Sequence, residues 1–384
     1  MAGYLFNLGD AFSIEDVIAP GVYSTLMKAP TGYWRKEAEA TFADFVTMKP
    51  GDHVYFFQQR VVYGVGELVA VGPDCKYCNF PGASVPEPVQ YGETRARLLV
   101  DHGSASVDQR WLCTFRPAPH FFRRGVDMDD LLASNPMAFR ILRANWKVSF
   151  IKFDPEEDQA FLDALLRANQ HLIEQGVGPN ESVEVFPWSA QLHRRMGQVD
   201  LSDYALSVGP ILERAAEGAA IKHEMAIEAG LLAQISEGDS STIEIFGEWP
   251  YLSHQVIASP FKAIDWMDKM DIFGQAAIHG HPATIARYLV GEVKKGQADL
   301  ESVAQVMKYV DWVKDEYAFG DYSMIRAFLV AEGFPESVRQ EVQELATRRF
   351  TVGRRPPRTE QWQELRLVSY RYADRRLEFD VVDL

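Results

Sequence analysis

The sequence predicts an α/β protein of two domains, a small β-barrel followed by an α/β domain with a mixed central sheet. Its 384 residues exceed what one ordinary hydrophobic core spans. Short strand-like runs fill the first 153 residues, whereas helical and strand-like segments alternate from residue 201 onward. We therefore expect domains over residues 1–153 and 201–384, joined by a helical connector and linker over residues 154–200.

Composition sets the class of protein. Apolar residues make up 47% of the chain and charged residues 24%, which is typical of a globular fold. There is no run of about 18 apolar residues and no basic-then-apolar N-terminus, so we expect a cytoplasmic protein without a membrane partner. Cys75 and Cys78 have the spacing of half a zinc site, but the other half is missing. We expect ordinary thiols in a reducing compartment.

The first domain is predicted from strand-like runs bounded by glycine and proline turns. Few helical patterns interrupt these runs, and such a succession favours a small closed or nearly closed barrel. The expected strands are Val54–Gln58, Val61–Val71, Ala96–Val100, Gln109–Phe115 and Val148–Phe153.

The turn Lys49-Pro50-Gly51-Asp52, followed by strand-like runs at 53–57 and 63–69, resembles the EVE and PUA-like domains. That resemblance covers some 20 residues and implies a barrel that holds a nucleobase, often a modified one flipped from its helix. Trp34, Trp111 and Tyr63 are the candidates for such a base pocket, since flipped bases stack on aromatic rings. Strand alternation leaves a second interpretation open, in which most of these rings are core.

The connector begins with an acidic helix start at Asp154–Asp158, where negative charge suits the helix dipole. A glycine and proline break follows at residues 176–179. We expect residues 181–200 to be linker or interdomain packing, with Phe186-Pro187-Trp188 as an apolar anchor.

The second domain is predicted as a succession of helices and strands around a mixed sheet. The expected elements are a helix at Val208–Glu237, strands at Thr242–Phe246 and Ser253–Ala258, a helix at Asp299–Lys314, a buried strand at Met324–Ala331, a helix at Glu336–Arg348, and strands at Leu365–Tyr370 and Leu377–Val382.

Two further β-prone runs of this domain carry the candidate site. Asp271 lies in the run 270–273, and Glu292 and Lys294 lie two residues apart in the run 288–294, hence on one face of a strand. Two carboxylates and an ammonium at one point would form a hard-cation site for Mg²⁺ or Mn²⁺. Asp265 and Asp268 compete for the role of Asp271, which we favour because an apolar strand follows it directly.

On the helix that follows, Gln305 and Tyr309 are four residues apart and share a face. The order Asp271, Glu292, Lys294, Gln305, Tyr309 resembles the RecB-like branch of the PD-(D/E)xK nuclease superfamily. The resemblance extends over most of residues 208–382. It implies a restriction-endonuclease-like fold and a Mg²⁺-dependent endonuclease activity.

In that branch an early helix adds an acidic residue to the metal site. Glu228 is the better match here, and Glu224 shares its face. The alternative is that both glutamates are exposed and only make the surface of the helix soluble. One departure from the family pattern is a longer connection at residues 278–284, which could be a substrate loop or carry His279 or His281 into the site.

The formal charge of −15 opposes nonspecific binding to nucleic acid. Local basic patches can suffice, and the candidates are Arg123-Arg124, His193–Arg195 and Arg348–Arg358, with solvated surface as the alternative. Three classes of function therefore compete. They are a DNA endonuclease whose first domain selects the target, as in modification-dependent restriction or phage defence; a non-catalytic nucleic-acid clamp; and a small-molecule or protein binder. A homodimer is expected if both strands of a duplex are cut.

Overall fold

The computed structural model describes residues 1–9, 13–26, 36–79, 95–96, 98–100, 110–139, 150–178, 180–258 and 268–383. The chain divides into two compact units. The first comprises Met1–Ala29 and Met48–Leu206, and the second comprises Pro30–Thr47 and Ser207–Leu384. The stretch 154–200, predicted as a connector, therefore lies in the first unit, and a segment of the predicted first domain lies in the second.

One mixed sheet organises the first unit. Its strands are β1 (Gly3–Asn7), β2 (Val22–Leu26), β3 (His53–Gln58), β4 (Val61–Leu68), β5 (Lys76–Cys78), β6 (Arg110–Pro117), β7 (Val126–Asp127) and β8 (Phe150–Phe153). The order is β2-β6-β4-β3-β1-β8, with β5 on β6 and β7 on β4. Strand β1 runs parallel to β3, and the other pairs are antiparallel.

Short helices accompany this sheet. They are α1 (Ile14–Ile18), α3 (Met128–Ser134), α4 (Pro155–Ala168), α5 (Gln170–Glu174) and α6 (Gln191–Met196). Asp154 caps α4, because its carboxylate accepts hydrogen bonds of 2.9 Å from the backbone N–H groups of Glu156 and Glu157. Phe161 of α4 then stacks on Phe153 at 4.3 Å between ring centroids. The predicted acidic helix start is confirmed, and its helix closes the core of the first unit.

Several expectations for the first unit need correction. The end strands β2 and β8 do not pair with each other among the described residues, so the structure shows a mixed sheet and leaves the closed or nearly closed barrel a prediction. The described part of the run 96–100 contains no strand. Strands β1 and β2 were missed. Four of the five residues of β1 are buried, and a short run buried on both faces has no alternation to reveal it.

A six-stranded mixed sheet organises the second unit. Its strands are β11 (Tyr251–Ile257), β12 (Lys269–Ile278), β13 (His281–Val293), β14 (Ile325–Ala331), β17 (Leu365–Ala373) and β18 (Arg376–Val381), in that order. Strands β13, β14 and β17 are parallel, and the remaining pairs are antiparallel. The predicted α/β class with a mixed central sheet is confirmed.

The helices of the second unit are α2 (Lys36–Val46), α7 (Gly209–Ala215), α8 (Glu224–Ser236), α9 (Ser240–Phe246), α10 (Leu300–Glu316) and α11 (Glu336–Ala346). Helices α10 and α11 are the crossovers that parallel strands require. Two small ladders complete the unit, β9 (Ala216–Glu217) with β10 (Ala220–Ile221), and β15 (Arg348–Val352) with β16 (Arg358–Trp362). No helix within the described ranges is both long and apolar enough to cross a bilayer.

Two predicted elements of the second unit are wrong. The helix expected over Val208–Glu237 ends at Ala215 and is followed by the β9–β10 hairpin, in whose turn Gly218 adopts a φ of +66° and reverses the chain. The strand expected at Thr242–Phe246 is helix α9. Asp239 decides this, because its carboxylate caps the helix by accepting from the Thr242 backbone N–H at 2.9 Å.

Candidate functional site

The hairpin of β12 and β13 sets two acidic side chains opposite each other. Ile272 pairs with Gly291 in this antiparallel ladder, so Asp271 lies directly across from Glu292. Directly opposed residues share a face, with Cβ atoms about 5 Å apart. The Asp271 carboxylate also accepts a hydrogen bond of 2.8 Å from the backbone N–H of Val293. The register thus brings the two predicted carboxylates together.

Lys294 and helix α10 complete the group. The Lys294 Nζ donates to Glu292 Oε1 at 2.6 Å and to Gln305 Oε1 at 3.1 Å. The Gln305 amide in turn donates to the Tyr309 hydroxyl at 2.8 Å. Glu292, Lys294, Gln305 and Tyr309 therefore form one hydrogen-bonded chain, and Asp271 lies beside it through its hydrogen bond from the Val293 backbone N–H.

The electrostatics of this group are those of two buried acids and one cation. Burial raises the pKa of Asp271, and burial together with the Asp271 carboxylate raises the pKa of Glu292. Burial by itself would lower the pKa of Lys294, but the hydrogen bond to Glu292 and the charges of both acids outweigh it and raise that pKa. Lys294 is therefore held as an ammonium, a donor and not a base.

The carboxyl group of Glu292 is incompletely hydrogen-bonded. Glu292 is 1% exposed, and within the described part of the chain its Oε2 has only the Asp271 carboxyl group beside it. A buried carboxylate oxygen without a donor, next to a second carboxylate, is costly. A divalent cation between the two acids would supply the missing partner and remove their repulsion.

The donor set fits one kind of ion. Carboxylate oxygens suit Mg²⁺ or Mn²⁺, and Mg²⁺ commonly binds through one or two carboxylates while keeping several waters. Among the described residues, no three His, Cys, Asp or Glu side chains form a ready metal cage. Asp271 and Glu292 therefore match a hydrated ion and not one fully enclosed by protein ligands.

Gln255 belongs to the site and has no counterpart in the predicted set. Its Nε2 donates to Asp271 Oδ1 and to Glu228 Oε2, each at 3.1 Å. The ladder pairs His254 with Ile272 and Val256 with Met270, which leaves Gln255 facing Asp271. Its φ of +53° is rare for a residue other than glycine and marks a strained position. No sequence signal reveals it, because a glutamine inside a strand-like run is unremarkable.

Glu228 on α8 is buried, 2% exposed, and so is not a solubilising surface residue. Besides Gln255 it faces His254, whose Nδ1 is 4.0 Å from Glu228 Oε2 and whose Nε2 is 2.9 Å from Asp44 on α2. Glu224, one turn earlier on α8, accepts a long hydrogen bond of 3.4 Å from the Lys295 backbone N–H. Its charge acts with burial to raise the pKa of Asp271, so both glutamates border the site.

The competing candidates lie elsewhere. Asp268 pairs with Lys308, and Asp265 lies outside the described residues. His279 and His281 flank the tight turn at Gly280, which has a φ of +79°. Strand β12 advances about 23 Å between Asp271 and that turn, at roughly 3.3 Å per residue. The connection is therefore a long hairpin, and it carries neither histidine into the site.

The structure describes two of the three base-pocket candidates, and these two differ in burial. Trp111 on β6 is 2% exposed, so it is a core ring with no face free for stacking, contrary to the prediction. Trp34 lies outside the described residues. Tyr63 on β4 is half-buried and meets Phe186 edge-on at 6.2 Å.

The three cysteines are free and buried, and burial raises the pKa of each thiol. Protonated thiols of this kind are poor nucleophiles. We assign them to the interior of the first unit.

No protein-family model matches the chain, and no curated protein matches it. Among solved structures, a hypothetical protein from Leishmania major aligns with 45% of this chain and 97% of its own length. The identity is 14% and the TM-score is 0.27, values too low to support any argument about fold or function. The proposed function therefore rests on the chemistry of the site.

Proposed function

We propose that this protein is a metal-dependent nuclease that hydrolyses phosphodiester bonds of nucleic acid, with DNA as the favoured substrate. The observation that carries the proposal is the buried Glu292 carboxyl group, whose Oε2 has no partner among the described residues except the carboxyl group of Asp271 beside it. Two acids arranged this way are unfavourable until a cation joins them, and Lys294 at 2.6 Å supplies a positive donor beside them. This combination favours the PD-(D/E)xK resemblance over a structural ion pair.

Each side chain has a distinct task in this proposal. A bound Mg²⁺ or Mn²⁺ would polarise the phosphodiester and lower the pKa of a water ligand. Asp271 and Glu292 would hold this ion. Lys294, kept protonated, donates to the attacking water or to the charge that develops on phosphate. Gln305 helps Glu292 to position the Lys294 ammonium, and Tyr309 positions Gln305 by accepting a hydrogen bond from its amide.

Target selection is the proposed task of the first unit. The PUA-like resemblance suggests recognition of a base, and an enzyme that cuts only modified DNA would serve restriction or phage defence. Tyr63 supports this role best among the described candidates, because its ring is partly accessible. Tyr63→Ala should cost about 1 to 3 kcal/mol of binding if the ring stacks on a base.

The test uses the full chain on matched substrates. Plain, methylated and hydroxymethylated duplexes, their single strands and an RNA duplex are incubated with Mg²⁺, with Mn²⁺ or with EDTA at one salt concentration. We expect cleavage that needs the metal and ranks the substrates by base modification. Equal cleavage in EDTA, or none on any substrate, contradicts the proposal.

A non-catalytic nucleic-acid clamp is the second candidate, and it is favoured by the lack of a ready three-ligand cage among the residues that the structure describes. Tight binding to nucleic acid without cleavage in either metal would select this candidate. Light scattering on the same samples tests the expected homodimer, because two centres let both strands be cut in one encounter.

A further inference from the structure

The β15–β16 ribbon lies apart from the central sheet and presents two unlike faces. In the ladder Arg348 pairs with Trp362 and Phe350 with Glu360, so these residues share the inner face. Arg349 pairs with Gln361 and Thr351 with Thr359, and these four form the outer face. The turn between the strands, residues 353–357, contains Arg354 and Arg355.

The inner face anchors the ribbon to helix α10 and strand β14, two elements that also border the candidate site. The Arg348 guanidinium binds both carboxylate oxygens of Asp311 on α10, at 2.9 and 3.1 Å. The buried Trp362 donates from Nε1 to the Ile325 carbonyl at the start of β14 at 3.0 Å. Asp311 lies six residues beyond Gln305, which is about 9 Å along the same helix. The ribbon root is therefore fixed to the helix that holds Lys294 in place.

The outer face and turn are free and basic. All four outer-face residues and both turn arginines are exposed. Arg349, Arg354 and Arg355 form no ion pair with any carboxylate that the structure describes. The one acidic residue of the ribbon, Glu360, lies on the inner-face side. In a chain of net charge −15, this surface of three guanidinium, two hydroxyl and one amide side chains has no acid.

We propose that this surface, formed by Arg349, Thr351, Arg354, Arg355, Thr359 and Gln361, binds the sugar-phosphate backbone of duplex nucleic acid and holds it against the site. The inference rests on the proposed function. Arginine, threonine and glutamine side chains are typical phosphate donors, and alternate residues on a strand recur about every 6.7 Å. A two-stranded ribbon also fits the width of a DNA groove. An anionic membrane is the poorer partner, because no apolar side chain on this face could insert.

The test separates binding from cleavage. Full-length protein carrying Glu292→Gln is titrated against a labelled duplex over a range of salt concentrations. We expect the added change Arg349→Ala/Arg354→Ala/Arg355→Ala to weaken binding by at least about tenfold and to reduce the slope of log affinity against log salt by about three. The matched control Arg339→Ala/Arg366→Ala/Arg371→Ala removes the same charge at exposed positions outside the ribbon and should change the slope little.

A second readout keeps the ribbon and the proposed function distinguishable. Hydrolysis of the small diester bis-p-nitrophenyl phosphate with Mn²⁺ should be unchanged by the ribbon substitutions in the otherwise unaltered protein, since this substrate is too small to reach the ribbon. Loss of this hydrolysis, an unchanged salt slope for the duplex, or weaker binding to anionic vesicles but not to duplex overturns the ribbon proposal. If the unaltered protein neither hydrolyses the diester nor binds duplex, the proposed function itself fails.

Discussion

Each of the two units buries a carboxylate beside a basic side chain, and the two sites differ in how completely the acid is satisfied. Asp158 in the first unit accepts from His53 Nδ1 at 2.8 Å on one oxygen and from the Tyr55 hydroxyl at 2.8 Å on the other. Glu292 in the second unit accepts from Lys294 on one oxygen only, and its other oxygen faces Asp271. A fully satisfied buried acid stabilises the fold, whereas an incompletely satisfied one costs stability and marks a candidate binding site.

The largest expected effect comes from substitutions of the two acids in the second unit, where the buried carboxyl group is incompletely hydrogen-bonded. Glu292→Gln or Asp271→Asn should lower cleavage by at least about a hundredfold, because each removes a charge that holds the cation. Neither should lower the metal-free melting temperature, since each relieves repulsion between buried acids. Cleavage assays, Mn²⁺ calorimetry and thermal melts measure the three quantities.

Asp158→Asn is the matched control for this pair of variants. It should lower the melting temperature while leaving cation affinity unchanged. Full activity of Glu292→Gln would show that the second site is structural as well.

Removal of the ammonium separates turnover from cation binding. Lys294→Ala should lower kcat by about a hundredfold to a thousandfold and change cation affinity much less, because Lys294 acts on water or on developing charge. Lys295→Ala is the control, as this neighbouring side chain is exposed. Equal losses of kcat and cation affinity would mean that Lys294 only organises the two acids.

A substitution of Gln255 tests whether this residue, with its strained backbone, contributes to cation binding. Gln255→Gly removes the amide that bridges Glu228 and Asp271 and also relieves the φ of +53°. We expect cation affinity to fall by about tenfold to a hundredfold while the melting temperature stays the same or rises. A lower melting temperature with normal cation affinity would assign Gln255 a purely structural role.

The smallest expected effect is the pH dependence of the stability that the His53–Asp158 pair contributes to the first unit. Burial lowers the pKa of His53, but the hydrogen bond and charge of Asp158 outweigh it and raise that pKa above the usual 6.5. The pair should therefore stabilise the fold fully below pH 6.5, by about 1 to 3 kcal/mol. This contribution declines as the pH rises through the higher folded-state pKa.

Urea unfolding of His53→Gln on both sides of that interval checks the sign, since the deficit should be larger at the lower pH. His171→Gln, which breaks an exposed pair with Glu184, should cost little at either pH. A deficit of His53→Gln that grows with pH would contradict the assignment.

The parts of the molecule that could be predicted are those set by local pattern. The hairpin bearing Asp271 and Glu292, the helix bearing Gln305 and Tyr309, and the strands at 325–331 and 365–373 follow from alternation, helical spacing and apolar runs. Where two local signals conflict, the residue pattern predicted the wrong type of element. The β-prone residues of Thr242–Phe246 form a helix because the cap at Asp239 prevails.

By itself the sequence determined the α/β class, the hairpin and the spacing that puts Glu292 and Lys294 on one face. Only the tertiary structure decided that Gln255 bridges Glu228 and Asp271, that α2 from the N-terminal region brings Asp44 to His254, and that Trp111 is core. The physical reason is distance along the chain. Periodicity specifies which face a side chain occupies within one element, but contacts between distant elements depend on packing that no local pattern records.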